Sequence, residues 1–153
     1  MFIQKIIRSL EKHDVPYVLI GGYAVALHGV VRGTIDIDIV IALEQRAFVS
    51  AEMALHDIGL VSRLPVSAQE VFSFRNEYIK NRNLIAWSFY NPNNPLEVVD
   101  ILLLEDAQKM RTVSKLAFGL SIQVAAIDEL IRIKKIAGRP QDLEDIKALG
   151  KLP

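Results

Sequence analysis

In the run GGYAVALHGVVRGTIDIDIVI, Asp36 and Asp38 stand one residue apart among isoleucines and valines. Successive side chains on a strand point to opposite faces, so these two carboxylates share one face, roughly 6.6 Å apart. Ile35, Ile37, Ile39 and Ile41 share the other and call for a helical layer over them. Two ionised carboxylates so close repel each other, and desolvating both is costly unless a cation lies between them. A hard dication such as Mg²⁺ prefers such oxygens. The structural alternative is a wet strand face with two solvated aspartates, and an isolated D-x-D does not decide between them.

Further residues add chemistry. Gly21-Gly22 follows a short strand and precedes a helix, where glycine lets backbone N–H groups come close to a phosphate; a plain tight turn explains the pair equally well. Asp100 interrupts the apolar LEVVDILLL. A carboxylate there needs a partner: a cation shared with Asp36 and Asp38 if the strands are neighbours, or else solvent or an arginine. Arg32 and Thr34 complete R-G-T-I-D-I-D, with Arg32 suited either to a phosphate or to holding the loop through an aspartate. Ile127, Leu130, Ile131, Ile133 and Ile136 form an apolar arc on a helix, and Lys134 falls inside it, so its ammonium either snorkels out or meets an anion. Arg139, Asp142 and Asp145 read as structural, the acids favoured in a helix's first turn and the arginine paired with them. His28, Phe74, Trp87 and Phe89 read as packing residues.

The elements that must position these groups follow from periodicity and punctuation. Residues 2–13 read as an amphipathic helix, 17–20 as a buried strand, 23–29 as a short helix ended by Gly29, and 34–42 as a strand. A helix over 43–59 stops at Gly59, and 67–82 reads as mostly helical. NLIAWSFY (83–90) and LEVVDILLL (96–104) flank NPNNP as a hairpin. A short helix near EDAQKMR, an extended LSIQVA, a helix over AIDELIRIKKIA capped by Gly138, and a last helix opened by Pro140 complete the chain. The class is α+β: one domain over residues 1–153, with a small mixed sheet flanked by helices.

Bulk properties narrow the options. The 153 residues carry 18 basic and 18 acidic side chains, with no polybasic run, which argues against coating duplex nucleic acid by charge. The absence of cysteine excludes disulfides, thiolate metal sites and cysteine nucleophiles. The N-terminus acquires charge too early for a secretory signal, and no apolar run reaches membrane-spanning length, so a cytoplasmic protein with no membrane partner is expected.

Gly21-Gly22, thirteen residues, Asp36-x-Asp38 and a later strand acid at Asp100 together resemble the nucleotidyltransferase fold of the DNA polymerase β superfamily. GGYAVALHGVVRGTIDIDI and the ending ELIRIKKIAGRPQDLEDIKAL look like small bacterial nucleotidyltransferases related to AbiEii-type toxins and to antibiotic-inactivating enzymes. The resemblance implies that Asp36, Asp38 and Asp100 bind two Mg²⁺ ions with an NTP and act catalytically. It further implies that Gly21 and Gly22 cradle the triphosphate and that Lys134 meets a phosphate or an active-site acid. Many members have Gly-Ser at the turn; Gly22 lacks that hydroxyl, leaving the phosphate to the backbone, Tyr23, Arg32, Thr34 and Lys134. The implied reaction moves a nucleoside monophosphate to an acceptor, whether small molecule, tRNA or protein. With so short a chain, that acceptor is expected across a homo-oligomer interface or on a partner protein. The rivals are a non-catalytic nucleotide-binding or toxin–antitoxin-type regulatory module, and a structural cation site.

Overall fold

The structure, a computed structural model, describes residues 1–82 and 85–153. Helix α1 (Phe2–Lys12) buries Ile3, Ile6, Ile7 and Leu10 at helical spacing, and the chain then enters β1 (Tyr17–Ile20), buried throughout. Helix α2 (Gly21–Leu27) follows without a linker. Then come β2 (Ile37–Ile41), α3 (Gln45–Asp57), β3 (Val61–Ser62), α4 (Ala68–Ser73) and α5 (Arg75–Arg82). The second half comprises β4 (Ala86–Asn91), β5 (Asn94–Leu102), a 3-10 turn at Ala107–Lys109, β6 (Thr112–Ala117), β7 (Leu120–Ala125), α6 (Ile127–Ala137) and α7 (Pro140–Gly150).

The described strands form one mixed sheet in the order β3-β4-β5-β2-β1-β7-β6. The pairs β1–β7 and β2–β5 are parallel and the others antiparallel. The α+β expectation holds. Ile37, Ile39 and Ile41 are at most 1% exposed, in a core shared with α1 and with Phe48, Ala51 and Leu55 of α3. Phe48 stacks on Trp87 at 5.7 Å between ring centroids, and Trp87 meets Phe89 at 4.7 Å. Such pairs contribute about 0.5–1.5 kcal/mol each beyond area burial. Among the described residues no helix is long and apolar enough to cross a membrane.

Several expectations need correction. The strand expected from Thr34 begins only at Ile37. β1 ends opposite Asp38 because Gly21 turns the chain into α2, so the preceding residues have no strand on that side. On the other side, β5 pairs with β2 only from Val99 onward, and Pro95 has no N–H to offer further back. Ile35 is therefore 60% exposed and does not join the other isoleucines. Phe74, expected in the core, is half exposed where α4 gives way to α5, and Phe72 packs on Phe48 in its place. β3 and β6 were not foreseen. The β6–β7 hairpin turns at Phe118-Gly119, both with positive φ. The first residues of the expected strand NLIAWSFY, Asn83 and Leu84, lie outside the described residues.

Candidate active site

The sheet register assembles the site. Asp38 of β2 pairs with Ile20 of β1 on one side and with Asp100 of β5 on the other. Asp100 in turn pairs with Ser88 of β4. In-register partners on neighbouring strands point to the same face, so Asp38, Asp100 and Ser88 form a row across the middle of the sheet. Ser88 Oγ donates a short hydrogen bond to Asp100 Oδ1. Asp36 lies in the bend just before β2 and is exposed.

The row is strongly acidic. Burial, then the charge of Asp100, then that of Asp36 push the Asp38 carboxyl up to about 6, while Lys134 and Arg139 pull it down. Carboxylates crowded around Asp38 make a donor set of hard oxygens suited to a divalent cation, which would relieve the crowding. Among the described residues no three acids or histidines already enclose a common point. Asp38 and Asp100 form the pair, with Asp36 as a nearby third charge.

Both glycines have a reason to be there. Gly21 has φ +72°, and a Cβ on it would lie 2.1 Å from Asp38 Oδ2. Only a residue without a side chain lets the strand–helix turn pass directly beside that carboxylate. A Cβ on Gly22 would lie 2.8 Å from both Cβ and Oγ1 of Thr34. The Thr34 side chain thus fills the space a residue at 22 would need, and its hydroxyl stands beside the turn, donating only a 3.4 Å bond to the Asp36 carbonyl.

The nearby cations are held from behind. Lys134 is 6% exposed, and its Nζ lies 2.9 Å from Asp145 Oδ2 and 3.5 Å from Asp142 Oδ1. Arg32 Nε donates to Asp145 Oδ1 at 3.1 Å, and Gln141 donates to the same oxygen at 3.0 Å. Arg139 donates to Asp142 from its backbone N–H and from Nε. Burial alone would raise both acids; hydrogen bonds from Arg139 to Asp142, and from Lys134 and Gln141 to Asp145, outweigh it and hold both carboxyls below their ordinary range. Lys134 meets anions and does not snorkel, and those anions are the two aspartates of α7. Arg32 likewise holds the loop through an aspartate.

The structure therefore brings Gly21, Gly22, Thr34, Asp36, Asp38 and Asp100 together, with Lys134 and Arg32 tied to α7 behind them. Tyr23 packs partly against the core, and His28 donates to the Ala125 carbonyl, as a packing residue would. Sequence reasoning missed Ser88. Its only signal was a small hydroxyl residue in the apolar strand AWSFY, which gains meaning only when register sets it beside Asp100. It read Asp142 and Asp145 as first-turn acids paired with Arg139; Asp142 is so placed, whereas Asp145 lies beyond the first turn and holds Arg32 and Lys134 instead.

A mixed sheet with a strand–Gly-Gly–helix turn beside carboxylates on two adjacent parallel strands is the nucleotidyltransferase fold. Solved structures of that fold match almost the whole chain. The antibiotic-resistance factor ANT(2'')-Ia superposes with a TM-score of 0.67 at 12% identity, over 97% of this chain and 80% of its own. The lincosamide antibiotic adenylyltransferase LnuA gives 0.63 at 17%, over 99% and 96%. An antigenic nucleotidyltransferase-like protein from Paracoccidioides brasiliensis gives 0.56 at 16%, over 97% and 74%. These likenesses establish the fold. No family model matches the sequence, and no curated protein matches it.

Proposed function

We propose that the chain, as one domain over residues 1–153, transfers a nucleoside monophosphate from an NTP to an acceptor hydroxyl or phosphate and releases pyrophosphate. The observation that carries this reading is the register pair Asp38–Asp100, set against Gly21 within a nucleotidyltransferase fold. Asp36, Asp38 and Asp100 would hold Mg²⁺. Magnesium held there with the triphosphate would activate the attacking oxygen and neutralise charge on the departing pyrophosphate. The chain's own groups do the positioning. The backbone at Gly21 and Gly22 and the hydroxyl of Thr34 border the space for phosphate, beside Tyr23. Lys134, fixed by α7, is a standing positive charge behind Asp38, and Arg32 fixes the loop that carries Thr34 and Asp36.

In the reaction the acceptor oxygen bonds to the α-phosphorus as the bond from that phosphorus to the α–β bridging oxygen breaks. Pyrophosphate leaves with the electron pair. The acceptor's proton passes to Asp100, whose Oδ1 accepts from Ser88 Oγ. NTP supply makes the cytoplasm the natural setting. The ending AGRPQDLEDI resembles that of the small bacterial group related to AbiEii-type toxins, and this likeness supports reading the chain as one of that group.

A second reading, a nucleotide-binding or toxin–antitoxin-type regulatory module without turnover, draws on one observation: Asp145 engages both Arg32 and Lys134. Incubation with each labelled NTP and Mg²⁺, beside an Asp36→Ala/Asp38→Ala variant, separates the two. Transfer or pyrophosphate release lost in the variant supports catalysis. Equal signals from both proteins would refute it. Mg²⁺-dependent thermal stabilisation by NTP without turnover supports the binding module.

A further inference from the structure

The late start of β2 leaves a cleft of about 580 Å³ between residues Gly33–Asp36 and the start of β5 at Pro95 and Leu96. Pockets for small ligands run to roughly 300–1,000 Å³. We propose that this cleft is the acceptor subsite, and that the acceptor is a small, neutral molecule presenting an apolar face and a hydroxyl. The inference rests on the nucleotidyl-transfer reading for its position: Asp36 is part of the lining and its charge acts on Asp38, so a molecule seated here lies beside the first of the three acids.

The lining sets the chemistry. Ile35 and Leu96, on opposite walls, are 60% and 65% exposed. Ile35 carries strand periodicity but was left out of the core when the strand peeled away, so its apolar surface faces this gap. Asp36 is the one ionisable residue among the six that line it. A polycation would find only a single carboxylate to pair with, and the lining offers no cationic side chain to an anion. Apolar walls with one polar edge select instead a molecule that buries a hydrocarbon surface while its hydroxyl points at Asp36. The gap also leaves β5 without a β2 partner before Val99, which would invite an extended peptide. Pro95 in that edge removes a backbone donor and blunts strand addition. The small molecule is favoured.

The test uses the full chain and two-dimensional ¹⁵N–¹H NMR without nucleotide. The probes are hexyl β-D-glucoside, methyl β-D-glucoside, neamine as a polycation, and an extended serine-containing heptapeptide. Hexyl glucoside is expected to shift the amides of Gly33–Asp36 and Leu96 saturably. Its affinity should exceed that of methyl glucoside by about tenfold, and Ile35→Ser/Leu96→Ser should remove most of that advantage. Both side chains are exposed, so the double variant should keep the wild-type Tm, which separates lost binding from lost fold. Equal affinity for the two glucosides, shifts elsewhere, or tighter binding of neamine or the heptapeptide at these amides would each overturn the proposal. The readout is independent of turnover. A chain that binds hexyl glucoside here but leaves NTP intact fails the transfer reading, and one that turns over NTP but ignores hexyl glucoside fails this one.

Discussion

Asp38 carries a charge that its surroundings oppose. Its carboxyl titrates at about 6 in the fold against 3.8 as an ordinary aspartate, chiefly through burial and through Asp100. Between those values the folded chain keeps a proton that the unfolded chain has released. The group therefore favours the fold at low pH, and that contribution is lost as pH rises through about 6. In metal-free buffer Asp38→Asn should stabilise the protein by on the order of 1–2 kcal/mol at pH 8, after allowance for partial solvent screening, and by nearly nothing at pH 4. Urea titrations at the two pH values measure this. Equal effects at both would mean that charge crowding is not the cause. Added Mg²⁺ should favour wild type over the variant, because only the carboxylate set attracts it. The acids themselves were legible in the sequence, because charge in an apolar strand is conspicuous. Ser88 was not, because a lone serine acquires a role only through the residue that register puts opposite it.

At the scale of elements, α7 does more than close the chain. Asp145 accepts from Arg32 in the loop before β2, from Lys134 on α6 and from Gln141 on its own helix, and is 2% exposed. Asp145→Ala would leave the buried Lys134 with only the longer 3.5 Å contact to Asp142 and release Arg32. Breaking a buried pair typically costs about 3–5 kcal/mol; with Asp142 remaining, about 2–4 kcal/mol is expected. Amide exchange should quicken at residues 31–36 more than in α1, which does not touch this network; uniform quickening would argue against a link to the loop. Helices with a strong apolar repeat or a glycine stop, such as α1, α3 and α6, were legible from sequence alone. The true start of β2 was not, because it depends on where β1 turns away and on a proline in β5. β6 was missed because an edge strand with exposed Val113, Ser114 and Leu116 has no buried face to give it a period.

For the molecule as a whole, the balance of 18 basic and 18 acidic side chains bears on the acceptor. A protein gripping tRNA by its phosphates loses affinity steeply with salt, by roughly 0.7–0.9 of a log unit per contact for each log unit of salt. This chain should show no measurable tRNA binding by fluorescence anisotropy in about 150 mM salt, and little gain on dilution. Tight binding with a steep salt slope would restore a tRNA acceptor and displace the small molecule. The α+β class was readable from the mixture of helical and strand periodicities, and the two glycines and three acids carried the resemblance to the nucleotidyltransferase fold. The edge strands β3 and β6 were not readable, because they contribute nothing to those acids.

The contact between Gly22 and Thr34 also constrains the order in which these positions can change. There is room for one side chain between the turn and the loop, and here position 34 occupies it. A descendant that would install serine at 22 must first shrink residue 34; taken the other way round, the intermediate holds two side chains in a space for one.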